Sequence, residues 1–341
     1  MRKLLLLLIF PTSLFCLGQG RTITIADLVT LSSLSQKSSE SYLNRKGFIR
    51  KSIQDELLTA TFIENRKPKS KDTVKITRSI NLYKKEDKEY YLLRTSSFGE
   101  YTDWKTWLKK NGFLYDSNHK DNNTPAIFQR RNIKIITTAE RKEDMTEYIF
   151  SLQKKELPNP ATVQFAEDLL EFDSHEYLVS FFGQQNVKQD VYYFTEKELK
   201  KCSVIFPNTD KQVIFIWNDE INLSDLSYIL ISGILPTIKA VHYNGIVGQN
   251  NWNLKNGISS NMNIRELLEL NGEDFQFYGR NSEFSYMVVP ESKGKIDFKK
   301  VGLTLGCFDC SSALLDRVKI RASDAIKNFI NLYIVYIMIM R

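Results

Sequence analysis

The chain has 341 residues, is 42% hydrophobic and 12% aromatic, and carries a formal net charge of +7. That is enough apolar material for folded cores in about two domains. Its lysines alternate with acids, as in residues 84–89 and 197–201, which speaks against a nucleic-acid arm. Four cysteines are too few for a disulfide scaffold.

Residues 1–20 read as a secretory signal peptide: Arg2 and Lys3 form the charged start, Leu4 to Phe10 the apolar segment, and residues 17–20 the short end. The apolar segment falls well below the roughly 20 residues that span a bilayer. Cys16 follows Phe15, where lipid attachment requires a small residue, so cleavage is expected. Loss of Arg2 and Lys3 leaves a mature charge of +5. The expected location is periplasmic or secreted, with no transmembrane span after cleavage.

Residues 21–156 form an expected α+β domain of two similar halves. In the first, Ile25, Leu28, Val29, Leu31 and Leu34 suit one helix face, Tyr42 and Leu43 a second, and Gly47 stops it before Phe48. Strand-like runs follow at 56–63, 74–83 and 89–96. In the second half, Gly112 aligns with Gly47, Leu108 with Leu43 and Phe113 with Phe48. Three more runs follow, at 126–131, 132–138 and 146–153. The order of elements agrees across the halves, as an internal repeat requires.

Pro158 and Pro160 mark a boundary, since proline resists both helix and sheet continuation. A second α+β domain is expected over 161–322, opening with helices near 161–171 and 175–182 and a stop at Gly183. Strands are expected at 190–195, 202–207, 211–219, 226–232 and 237–244.

The sharpest local pattern is residues 257–279, GISSNMNIRELLELNGEDFQFYG. Asn261 or Asn263 can cap a helix, and Glu266 lies three after Asn263, as in a capping box. Asn271-Gly272 ends the helix, and Phe275, Phe277 and Tyr278 suggest a strand. Strand-like runs at 284–290 and 300–305 and a helical run at 313–320 follow. The unit of helix, glycine stop, aromatic and antiparallel strands thus occurs at Gly47, Gly112, Gly183 and Gly272. It predicts tandem modules of one or two helices packed on an antiparallel sheet.

Residues 257–278 resemble a motif of uncharacterised exported proteins of Gram-negative envelopes. The motif is carried here by Gly257-Ile258, Met262, Glu266-Leu267, Asn271-Gly272 and Phe275. Residues 202–217 look like the same group. The element order is similar to the β-lactamase-inhibitor-like fold and to small outer-membrane lipoproteins, whose helix-helix-sheet modules serve as binding surfaces. The resemblance implies a non-enzymatic module that binds another envelope protein or peptide. Asn261 departs from the motif, which expects glycine before Met262.

Catalytic signatures are missing from the sequence. There is no nucleophile elbow, P-loop or dinucleotide fingerprint, and the three histidines, His119, His175 and His242, lie apart. No catalytic residue, metal ligand or cofactor is therefore expected. Cys307 and Cys310 flank two residues and suit a structural bridge; the same spacing occurs in thiol redox motifs, but only 31 residues follow Cys310. The tryptophans Trp104, Trp107, Trp217 and Trp252 suit either core positions or a groove. An envelope hydrolase with residues gathered from distant loops is the alternative reading, and a thiol redox protein the third. The apolar tail, residues 323–341, has three open readings: a buried final element, a peripheral anchor, or an ending unrelated to the rest.

Overall fold

A computed structural model describes residues 23–51, 58–64, 76–116, 125–130, 133–142, 145–194, 198–233, 249–307 and 311–340. The expected signal peptide at residues 1–20, His119, the 237–244 run with His242, and Cys310 lie outside the described residues. The fold is α+β, with helices packed on large antiparallel sheets.

The chain enters through α1 (Ile25–Leu31), started by a capping box between Thr24 and Asp27, and α2 (Gln36–Arg45), capped by Ser35. Strands β1 (Phe48–Lys51), β2 (Leu58–Glu64), β3 (Arg78–Lys85) and β4 (Lys88–Thr95) follow. The pattern then repeats as α3 (Phe98–Lys110), capped by Ser97, and β5 (Leu114–Tyr115), β6 (Ala126–Arg130), β7 (Ile133–Lys142) and β8 (Met145–Gln153). Pairing of β4 with β8 joins the halves into one eight-stranded sheet, ordered β1-β2-β3-β4-β8-β7-β6-β5. Each half thus runs from an outer strand inward to a common centre. Gly47 and Gly112 turn each helix into its first strand at φ of 87° and 76°, a region that glycine enters without a Cβ penalty. Phe48 and Phe113 follow them into the core beneath α1, α2 and α3.

Beyond the two prolines the expected helix at 161–171 is instead two short 3-10 turns, Pro160–Thr162 and Ala166–Glu171. The cause is local. The Asp168 carboxylate accepts from the N–H groups of Gln164 and Phe165, and the Ala166 N–H donates to the Asn253 carbonyl. Those groups are lost to an α-helical ladder. Helix α4 (His175–Phe182) is capped by Ser174 and ends at Gly183, φ 86°.

The second sheet contains β9 (Val187–Tyr193), β10 (Leu199–Ile205), β11 (Val213–Asp219) and β12 (Ser224–Ser232). Helix α5 (Ile264–Asn271) leads to β13 (Gln276–Tyr278), then come β14 (Val301–Cys307), β15 (Lys319–Arg321), α6 (Ala322–Lys327) and β16 (Leu332–Met340). The sheet order is β14-β16-β12-β11-β10-β9. The apolar tail is therefore an inner strand, paired with β12 on one side and β14 on the other. Ile334, Ile337 and Ile339 are buried in the second core, which explains the density of apolar residues there.

Three expectations change in this region. The aromatic strand after Gly272 stays outside the large sheet: it forms a two-stranded ladder with β15 and is bridged on its other side by Val288. Residues 284–290 form no strand and make only single bridges at Met287 and Val288; Tyr286 sits at φ 61° and Pro290 has no N–H to donate. Residues 313–320 split into a 3-10 turn, Ala313–Asp316, and β15.

The two sheets meet at a polar seam. The Ser35 N–H and Oγ donate to the Glu176 carboxylate at 2.6 and 3.0 Å, and the Ser38 Oγ at 2.7 Å. Ser174 Oγ donates to the Ser33 carbonyl at 2.8 Å, and Arg45 pairs with Asp219 at 2.8 Å. Lys155 and Asp173 form a buried ion pair beneath these contacts.

Candidate binding face

The 257–279 stretch acts as a structural joint. Asn263 is the cap, its Oδ1 accepting from the N–H groups of Arg265 and Glu266 at 2.9 Å each, while Glu266 accepts from the Asn263 N–H. Gly272 ends α5 in the left-handed conformation at φ 75°. Asn261, where the motif has glycine, also adopts a left-handed φ of 69°; asparagine is among the few other residues that do so at low cost. The Asn261 N–H donates to the Ile334 carbonyl at 2.8 Å, and the Ile334 N–H donates to Met262 at 2.9 Å. The stretch thereby continues the pairing of β16 where β12 leaves off. Gly257 turns the approach at φ 92°, its N–H donating to Leu254 at 2.9 Å.

Asn271 has a role beyond the helix stop. Fully buried, it donates to the carbonyls of Glu273 and Lys293 at 2.7 Å each and accepts from the Ile296 N–H at 3.1 Å. It holds the 290–299 loop against α5. Gly294 passes so close that a Cβ there would lie 2.2 Å from the Asn271 amide. This loop borders a shallow depression of about 420 Å³, whose charged side chains, Glu291, Lys293, Lys295, Asp297 and Lys299, are all exposed. An open rim of solvated charges offers little to confine a reacting group.

His175 and Ser203 come together. His175 Nδ1 lies 2.9 Å from Ser203 Oγ, which accepts from the Trp217 Nε1–H at 2.9 Å. With that donor in place, the serine proton is free to point at Nδ1, giving a neutral ring. Burial lowers the His175 pKa, partly opposed by Glu176. Ser203 has no exposed surface, so the chain Trp217–Ser203–His175 ties α4 to β10 and β11 and presents no nucleophile.

Trp104 and Trp217 are buried in separate cores. Cys307 ends β14 and is disulfide-bonded. Cys202 is a free, buried thiol whose pKa burial raises to about 12, which keeps it protonated and unreactive. Among the described residues no three acidic, histidine or cysteine side chains are placed to hold a metal ion, and no helix is long and apolar enough to cross a membrane.

What remains is a surface that sequence reasoning did not single out by residue. Side chains alternate across a strand, so the face of the eight-stranded sheet opposite the helices can be read from the register. One row runs Thr61, Asn81, Leu92, Ser151, Ile136, Ile127 across six strands. The next runs Ile63, Ser79, Arg94, Ile149, Thr138. None of these residues belongs to the helix-packed core. Leu92, Arg94, Ile127 and Ile136 are half-buried and Ile63 is exposed. Tyr83 and Tyr90 stack at one end, with ring centroids 5.1 Å apart.

Arg94 stands on β4, at the centre of this face. Its guanidinium donates to the Asn81 Oδ1, and Asn81 Nδ2 donates to Thr61 Oγ1 at 2.7 Å. No carboxylate among the described residues pairs with it. The face thus combines apolar area with one oriented guanidinium, the residue type best suited to bidentate carboxylate recognition. The only signal in the sequence was the strand alternation itself. Placing Arg94 at the centre required knowing that β4 pairs with β8.

Comparison with known protein families, characterised proteins and solved structures found no match to this chain.

Proposed function

We propose that the chain is an exported, non-enzymatic module that docks another envelope protein or peptide on the open face of the eight-stranded sheet. The observation that carries this reading is the half-buried row around Arg94. The face crosses six strands and carries a cation that no carboxylate among the described residues pairs with. A partner segment presenting a carboxylate to Arg94, with aliphatic neighbours against Leu92, Ile127 and Ile136, satisfies both components. Export rests on the leader-like residues 1–20, and the envelope partner on the motif resemblance at residues 257–278. A flat face of this kind suits a protein or extended peptide better than a small molecule, which needs concave enclosure.

The test is capture from the envelope fraction with mature wild-type chain and with Arg94→Glu and Leu92→Asp variants. Wild type is expected to retain a specific partner, and each variant to weaken it at least about tenfold, as substitution at a central contact does. Unchanged melting and circular dichroism would show that the variants fold. Equal capture by all three proteins would remove this face from the function.

A further inference from the structure

Among the described residues, one edge strand of the second sheet, β9, has no strand on its outer side. Strand β9 has seven residues, of which Lys188, Gln189, Asp190 and Tyr193 are exposed. The opposite edge, β14, is covered, because the Val288 N–H donates to Leu303 at 2.8 Å and the Leu305 N–H to Tyr286 at 3.0 Å. The edges of the first sheet are only four residues long at β1 and two at β5.

The pairing of β9 with β10 fixes which of its backbone groups are unused. The Phe194 N–H donates to Glu198 at 2.9 Å and the Phe206 N–H to Asn186 at 2.8 Å. Even-numbered residues of β9 therefore bond inward, and the N–H and carbonyl groups of Val187, Gln189 and Val191 point away from the sheet. The Val191 N–H is capped by its neighbour, the Asp190 carboxylate, at 2.9 Å. That carboxylate also pairs with Lys188 at 2.7 Å. Such charges shield an isolated edge. They also determine which edge can join it.

We propose that β9 is a self-association edge, pairing antiparallel with β9 of a second copy so that the two six-stranded sheets become one. Charge selects the register. Outward groups sit on odd residues, so a two-fold arrangement must pair odd with odd. Centring it on Gln189 sets Lys188 of each copy opposite Asp190 of the other, twice over, with Val187 opposite Val191. Moving the centre one residue toward the N-terminus sets Lys188 against Lys188. One residue toward the C-terminus sets Asp190 against Asp190. Like charges directly opposite are destabilising, so the neighbouring registers are disfavoured. Each Asp190 exchanges its own Lys188 for its partner's and releases the Val191 N–H to the Val187 carbonyl. This surface is independent of the face around Arg94, and neither proposal requires the other.

Sedimentation equilibrium of the full chain over a concentration series, at low and high salt, tests the proposal. The expected result is a dimer that weakens as salt rises. Lys188→Asp and Asp190→Lys each place like charges opposite and are expected to raise the dimer Kd at least about tenfold, and the double variant K188D/D190K to restore it. Gln189→Pro removes an outward N–H without touching the bonds to β10, so it is expected to leave the fold intact by circular dichroism and abolish the dimer. A wild-type chain that stays monomeric throughout, a dimer unaffected by Gln189→Pro, or a double variant no better than either single would overturn the proposal.

Discussion

The two sheets are assembled from the chain in different ways. The eight-stranded sheet is built from residues 48–153 by two runs of four strands, each pairing mostly with its sequence neighbours. The six-stranded sheet begins with a similar run, β9 to β12, but is finished by β16, which enters between β12 and β14 from the far end of the chain. More than 100 residues separate Leu230 from its partner Met338. The first sheet is a product of repetition; the second depends on a long-range closure, which costs more chain entropy before its contacts form. Their cores are separate clusters, so damage to one is expected to be felt mainly there.

The seam offers the strongest way to break that separation. Lys155 follows β8 and Asp173 precedes α4, and both side chains are almost wholly buried. Lys155→Met leaves Asp173 without its cation. Loss of one member of a buried pair costs about 3–5 kcal/mol. Region-resolved hydrogen exchange is expected to show the loss around α4, β11 and β12, with β3 and β4 little changed. An equal loss in both sheets would mean that they unfold as one unit, and that the separation of the cores has no energetic meaning.

Ile337 sharpens the same contrast. It is fully buried on β16, paired with Ile231 on one side and Leu303 on the other. Ile337→Ala is expected to cost about 2–5 kcal/mol, as large-to-small changes in a packed core do. The loss should appear in β12, β14 and β16 together, because β16 bridges the other two. A loss confined to β16 would show that the tail contributes little to closing the sheet.

The difference in assembly also explains what the sequence revealed. The six long strands of the first sheet follow from period-two alternation, and the halves align on Gly47 and Gly112 because each glycine must take positive φ. The same conformation recurs at Gly183 and Gly272. Asn263 was identifiable as a cap from Glu266 three residues on. By contrast, nothing near residues 332–340 states that they form an inner strand. A continuous apolar run fits several burials, and only the free sides of β12 and β14 decide among them. The 3-10 turns at 160–171 arise from Asp168 and from Asn253, a partner distant in sequence. The role of Arg94 was hidden for a similar reason: a lone arginine in a strand becomes central only when two halves of a repeat are joined at that strand.

The smallest expected effect is also the most selective. His175 is buried at the start of α4, and loss of hydration holds its pKa below the ordinary 6.5, with Glu176 opposing. The folded chain therefore keeps His175 neutral, while the unfolded chain binds a proton as pH falls through about 6.5. Protonation then favours unfolding, so this contribution is fully present above pH 6.5 and is lost as pH falls toward the folded-state value. Among the described residues the first sheet carries no histidine, so no matching dependence is expected there from this cause. Urea unfolding of wild type and His175→Gln at pH 7.5 and 5.5, followed by region-resolved exchange, separates the two. Wild type should lose protection in α4, β10 and β11 at the lower pH, and the glutamine variant should lose less. A variant that is weaker overall but keeps the wild-type slope would show that the pH dependence comes from other groups, and that the Trp217–Ser203–His175 chain stabilises the second sheet without sensing protons.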